Sequence, residues 1–397
     1  MRYVAIVAFM LCGCGDPASP PAADGGAARD ASPTPADAGP PPSWRLAGTA
    51  PQGAAHYREA VRLGTGDILV IGGASEGTLD YSIQLFAPST ETWRHVGDIP
   101  VVTLGNHAVV VLRDGSALAT SGGTSTRRWL PEGVPNSFAL RFDPTTSAAT
   151  ARARPLAPRM FVRGLLLDDG QVLLVGGASE MPTGTIVALA SAESYDPGVN
   201  VWSPAGAMTD ARWSHSATLL PSGEVLVAGG TDERGRFLAT AELYDPTSRS
   251  WRATGSMHEG RAWHAAVRLG SGRVLVAGGQ IAADMATASA EIYDPTTGAW
   301  QDAAPLPRVA MDMGAAALPD GNALVAGGWD AAAMQVRGAA LVYDEPAAAW
   351  RGAGMLNEPR AAHSLVIAAD GRAVVLMGVT GPARATASAE ITDGPVL

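Results

Sequence analysis

The side chains best equipped for chemistry in this chain recur at fixed offsets. His107, His215, His264 and His363 each stand eight residues before a turn glycine, and Arg58, Val162 and Met313 hold the same place in three further copies. Arg212, Arg261 and Arg360 each precede one of these histidines by three residues. Imidazoles serve as acid-base groups or metal ligands, and guanidinium groups hold carboxylates and phosphates. A metal site needs its nitrogen or oxygen ligands within roughly 2 Å of one ion. Only His215 and His264 belong to adjoining copies among the four, so no metal or other cofactor is expected. A residue copied into most units answers a need that every unit has, and the Arg-x-x-His unit is read as a hydrogen-bonded pair between neighbouring units. No H-E-x-x-H helix or phosphate-cradling loop accompanies it.

The elements that must position these residues follow from the repeat. Glycine pairs fall at Gly72-Gly73, Gly122-Gly123, Gly176-Gly177, Gly229-Gly230, Gly278-Gly279 and Gly327-Gly328, with Met377-Gly378 completing a series spaced by 49 to 54 residues. A period near fifty signals an array of supersecondary units. The unit at "HSATLLPSGEVLVAGG" has two short apolar runs joined by Ser-Gly. A third run, "ATAELYDP", and a fourth, "SRSWRATG", follow it. Each unit therefore predicts four short strands, with Asp-Gly or Ser-Gly supplying the positive φ of the first hairpin and Asp-Pro presetting the third turn. Trp follows the aromatic of the third run by seven residues in five units, and Ala149 replaces it in the second. Such an indole is expected to wedge between neighbouring sheets.

The diglycine, the aromatic ending the third run and the Trp of the fourth recur together over residues 43 to 397 and resemble the kelch repeat. The resemblance implies an all-β fold, a seven-bladed β-propeller of four-stranded kelch-type blades. The last unit, ending in "AEITDGPVL", has no Trp run of its own, whereas "PSWRLAG" before the first unit matches one. An N-terminal strand completing the C-terminal blade would close the ring and remove the sheet edges. Galactose oxidase and sialic acid mutarotase are enzymes built on similar propellers. The cross-linked Cys-Tyr copper centre of the former needs a cysteine that residues 43 to 397 lack. A sugar-processing activity at the central mouth stands as the alternative to pure binding, with Arg58, His215 and His264 as its acid-base or anion-binding groups.

One rim of such a disc carries the near-identical Asp-Gly and Asp-Pro turns, so the variable loops and any binding face belong to the other. The loop of the second unit, "TSTRRWLPEGVPNSFA", sets Trp129 beside Arg127, Arg128 and Glu132, a cluster suited to carbohydrate stacking or an acidic protein surface. The competing reading folds Trp129 back over its own loop. The third unit's loop, residues 178 to 191, is apolar and is a second candidate edge.

Residues 1 to 14, "MRYVAIVAFMLCGC", read as a lipoprotein-type signal peptide, with Cys14 after small Gly13 as the lipidation site. Residues 15 to 42 are rich in Pro, Ala, Asp and Gly and read as a disordered linker. Both cysteines, Cys12 and Cys14, lie in the leader, so disulfides are absent from the predicted domain. The formal charge of -10 repels phosphate backbones and argues against nucleic acid as a partner. The expectation is an exported, membrane-tethered, monomeric propeller without catalysis that binds a protein or glycan of the cell envelope.

Overall fold

The computed structural model describes residues 41–52, 59–75, 78–99, 107–122, 138–181, 185–381 and 384–396, with 73–75 and 78–81 given by their backbone alone. These residues form seven four-stranded antiparallel sheets, the blades of a β-propeller. Blade four shows the pattern, with strands Ser216–Leu219, Val225–Ala228, Ala241–Asp245 and Ser250–Ala253 in sequence order from the centre outwards. The innermost strands of the seven blades are Glu59–Arg62, Ala108–Val111, Arg163–Leu166, Ser216–Leu219, Ala265–Arg268, Gly314–Ala317 and Ser364–Ile367. Each adjoins the next around the axis, and the seventh returns to the first. Among the described residues no helix is long and apolar enough to cross a membrane.

Local chemistry accounts for each blade. The second strands, such as Val172–Val175 and Val274–Ala277, are buried along their whole length because sheets cover both faces. That is why they read as unbroken apolar runs instead of alternating ones. Gly223 closes the first hairpin of blade four at φ +83°, a conformation that penalises any side chain with a Cβ. In the third turn the Asp245 carboxylate accepts the Thr247 N–H at 2.8 Å, and Asp294 does the same for Thr296.

Seven apolar clusters lie between successive blades, and the aromatic residues join them. Tyr244 sits opposite Trp251 in the ladder with ring centroids 5.0 Å apart, and Tyr195 with Trp202, Tyr293 with Trp300 and Tyr343 with Trp350 repeat the pair. Each indole then donates to a carbonyl of the preceding blade's outer strand or of the residues just after it: Trp202 to Ala153, Trp251 to Ala205, Trp300 to Gly255 and Trp350 to Ala304, all at 2.7 to 2.9 Å. The wedge expected from the sequence is thus also a polar stitch between blades.

The ring closes as the repeat count requires. Strand Trp44–Thr49 pairs antiparallel with Ser388–Thr392 and is the outer strand of blade seven. Trp44 donates to Ala353 O of blade six at 2.8 Å, repeating the stitch across the closure. The chain enters this strand on the turn rim, where the Asp393 N–H donates to Ser43 O. On the opposite rim, short two-stranded hairpins not read from the sequence extend the second-to-third-strand connections, as at Ala178–Glu180 with Ile186–Ala188 and Trp329–Asp330 with Gln335–Val336. Trp44→Ala removes a buried indole and its stitch together, and a loss of about 3–5 kcal/mol in the free energy of urea unfolding is expected. An unchanged midpoint would show that the closing strand does not hold the ring.

Candidate binding site at the channel mouth

The segments leading into the innermost strands carry the repeated Arg and His residues, and the structure separates their roles. Arg159, Arg212, Arg261 and Arg360 are fully buried. Arg261 donates to Gly278 O at 3.0 Å and Ser289 O at 2.9 Å and meets Glu291 Oε1 at 2.7 Å. Arg212 with Glu242, Arg360 with Glu390 and Arg159 with Glu193 repeat the arrangement. The glutamate completes a clamp by accepting the N–H groups of the lead-in, Thr209 and Asp210 in the case of Glu242. The side-chain bonds stay inside one blade, while the arginine's carbonyl accepts from the preceding blade, as in Gly230 N to Arg261 O at 2.8 Å. Arginine and histidine therefore do not form the pair expected from their spacing. Arg159, three residues before Val162, shows that the clamp does not need the histidine.

The imidazoles instead pack on bare glycines. A Cβ on Gly229 would lie 2.7 Å from His264 Cε1, one on Gly176 2.8 Å from His215 Cε1, and one on Gly278 2.8 Å from Met313 Cε. In the pairs at 176, 229, 278 and 327 the first glycine is the seat for the ring, or the Met side chain, of the next blade. His264 Nε2 also contacts Ser216 Oγ at 2.9 Å. Burial holds His215 well below the ordinary imidazole range and lowers His264 and His363 to about 3, so these rings are neutral near pH 7.

The channel mouth itself is a cavity of about 340 Å³. Its chemistry comes from residues flanking the histidine position: Glu59 and Arg163 directly after it, Phe161, Trp263 and Asp312 directly before it. Phe161, Ser214, Trp263, Asp312 and Ala362 share this preceding position and all have φ between +49° and +53°. Non-glycine residues adopt this left-handed conformation only where the surroundings impose it. A chain of backbone bonds does so here, from Trp263 N to Ser214 O, Asp312 N to Trp263 O and Ala362 N to Asp312 O, at 3.0 to 3.1 Å. The side chains are thereby turned into the mouth. Trp213 links the aromatic residues, 5.0 Å from Phe161 and 5.5 Å from Trp263 between ring centroids.

Among the described residues Arg163 is the cation of this cavity. Its Nε donates to His215 O at 2.9 Å and its Nη1 stands 3.6 Å from Glu59 Oε1. The two side chains are 43% and 40% exposed to the channel, and desolvation by its walls raises Glu59. Asp312 is pushed up to about 7 by desolvation, against the lowering pull of Arg163. The mouth thus combines one guanidinium, two carboxyl groups with raised proton affinity and two aromatic rings.

Comparison with known proteins agrees with this architecture. The kelch motif matches residues 212–258 and 264–307. The chain is 30% identical over 155 residues to beta-scruin of Limulus polyphemus and 30% identical over 149 residues to Kelch-like protein 33 of Homo sapiens. These matches span 39% and 38% of this chain but only 16% and 26% of those proteins. The chain is a kelch-repeat β-propeller. Among solved structures, a fungal alcohol oxidase of the AA5 family in complex with copper aligns with a TM-score of 0.69 at 16% identity, over 89% of this chain and 76% of that one. YjhT aligns with a TM-score of 0.57 at 17% identity, over 73% of this chain and 94% of that one. At such identities the likeness is one of fold.

In this kelch propeller His264 reaches the edge of the mouth, whereas His215 is buried between blades and contributes no surface to it. Arg58, Arg127, Arg128, Trp129, Glu132 and Cys14 lie outside the described residues. Of the apolar edge at 178 to 191, Met181 is exposed beside the rim hairpin. Glu59, Phe161, Arg163, Trp263 and Asp312 were not singled out from the sequence. Their signal is that they vary between blades at positions next to a repeated one. Among the described residues one group, His258, Glu291 and Asp302, has metal-like spacing on the outer surface. Glu291 is already bonded to Arg261 and to the His258 N–H there.

The seated histidines make stability acid-sensitive. Above about pH 6.5 the ring is neutral in folded and unfolded chains alike. Between that value and about 3 only the unfolded chain takes up the proton, so each such ring lowers stability by up to roughly 1.4 kcal/mol per pH unit as pH falls. Asp312, raised by folding, acts in the opposite sense and loses its contribution as pH rises towards 7. His264→Met, which copies the natural choice at Met313, is expected to flatten the decline in urea-unfolding free energy between pH 6.5 and 4 relative to the parent. An identical pH profile for the two proteins would refute the assignment.

Proposed function

We propose that this propeller is an exported binding module, tethered to a membrane by lipid on Cys14, whose ligand is a protein or glycan of the cell envelope seated at the channel mouth. The observation that carries this reading is the divergence of the positions around the mouth. Blades share seats, clamps and stitches, yet Phe161, Arg163, Trp263 and Asp312 differ from their counterparts and converge on one cavity. Scaffold needs repeat in every blade, whereas a ligand requires different groups on different blades. Kelch propellers generally bind proteins, and the aromatic and charged residues of this mouth suit such contacts.

The path of the chain supports an orientation for the tether. Ser43 and Trp44 begin the closing strand on the turn rim, opposite the mouth. A lipid attached before residue 43 would join the propeller on the rim opposite the mouth and leave the mouth unobstructed by the tether.

Asp312 favours a second reading. A carboxyl group pushed up to about 7 across the mouth from a guanidinium is suited to acid-base work on a sugar, and a substrate turned over by the parent but not by Asp312→Asn would favour that reading.

Two measurements test the primary reading. Cys14→Ser is expected to move the protein from the detergent phase to the aqueous phase. Capture from envelope extract with the full chain is expected to retain a partner that the Phe161→Ala, Trp263→Ala double variant loses by tenfold or more. Alanine is compatible with the backbone there, since Ala362 occupies the same position in blade seven with φ +49°. Equal capture by both proteins would place the binding face elsewhere.

A further inference from the structure

Resting on the reading that the mouth is a binding surface, we infer that it recognises the carboxylate of a sugar acid, held by Arg163 with the sugar ring against Phe161 and Trp263. Three observations on the cavity converge. First, the Arg163 guanidinium is fixed by a single good hydrogen bond, Nε to His215 O, while Nη1 approaches Glu59 only to 3.6 Å. Its terminal N–H groups are thus oriented but incompletely used. Two such donors in a fork match a carboxylate.

Second, Phe161 lies two residues before Arg163, and both line the cavity together with Trp263. Phe161 and Trp263 are held in the left-handed backbone conformation, and Trp213 lies between them. An aromatic surface next to an anion-binding fork suits a molecule with one flat apolar face and one charged edge. A pyranose acid has both, and about 340 Å³ accommodates one or two such rings. Third, the buried clamp arginines already hold their glutamates, so Arg163 is the cation offered to a ligand in the mouth among the described residues.

The surrounding charges make recognition pH-dependent. Arg163 and Glu59 face Asp312 across the mouth, and His107, His264 and His363 line the same cavity, with His264 and His363 neutral. Below about 7 Asp312 is protonated and can donate to a bound carboxylate. Above that value it adds a negative charge that repels the ligand.

The test uses the full chain with D-galacturonate as the probe, D-galactose as the uncharged control and a glutamate-rich peptide as the competing carboxylate source, read by ligand-observed NMR and calorimetry. Galacturonate is expected to bind at pH 6 at least tenfold more tightly than galactose, and to weaken as pH is raised through 7. Arg163→Gln should reduce affinity by about tenfold or more. Asp312→Asn should retain binding at pH 8. Thermal melts of both variants report whether the fold persists, and if Arg163→Gln unfolds, the pH profile of Asp312→Asn still decides the matter. Equal binding of galactose, binding of the peptide alone, or a pH profile unchanged in Asp312→Asn would overturn the inference. Loss of galacturonate binding with capture still dependent on Phe161 and Trp263 would overturn this ligand class while leaving the binding module intact.

Discussion

Blades three to six each depend on a pair of glycines that leaves room for the next blade. The second glycine donates its N–H to the carbonyl of the following lead-in, as Gly230 does to Arg261, and the first leaves bare space for His264 or its equivalent. A Cβ on Gly229 would lie 2.5 Å from Arg261 O, and the backbone there adopts positive φ, +68° at Gly229 and +97° at Gly230, whereas Ser121 and Met377 take the first position in blades two and seven. The buried arginine and its glutamate then fasten that lead-in to its own sheet. Removing either partner would strand a charge in the interior, which costs more than the pair gains by forming. Placement of the innermost strands, and so the width of the channel, follows from these contacts.

That constraint explains why the mouth can carry unusual chemistry. Phe161, Trp263 and Asp312 adopt a backbone conformation that isolated residues avoid, and backbone bonds from Ser214 to Ala362 join these positions across four blades. The walls that exclude bulk water also raise Asp312 and Glu59 and keep the histidines neutral. The electrostatic character of the mouth therefore arises from the same packing that builds the ring.

Much of the architecture was legible in the sequence because it rests on short-range rules. Diglycine spacing, Asp-Gly turns and the aromatic-to-Trp interval are set within one blade, and counting Trp runs revealed the closing strand at Trp44. The site was legible only in outline. The histidines drew attention because they repeat, yet repetition marked them as seats on glycine, while the informative residues stood one position to either side. The arginine-histidine spacing suggested one partnership. The structure replaced it with two, arginine to glutamate within a blade and histidine to glycine between blades.

The sequence by itself determined the number of blades, the order of their strands, the turn chemistry and the rim that varies, since each is encoded by local periodicity and by residues with restricted backbone choices. Tertiary structure alone decided that Glu59 of blade one, Arg163 of blade three and Asp312 of blade six face one cavity. Residues separated by more than 100 positions meet there only because the ring closes. Their proton affinities likewise depend on walls contributed by other blades.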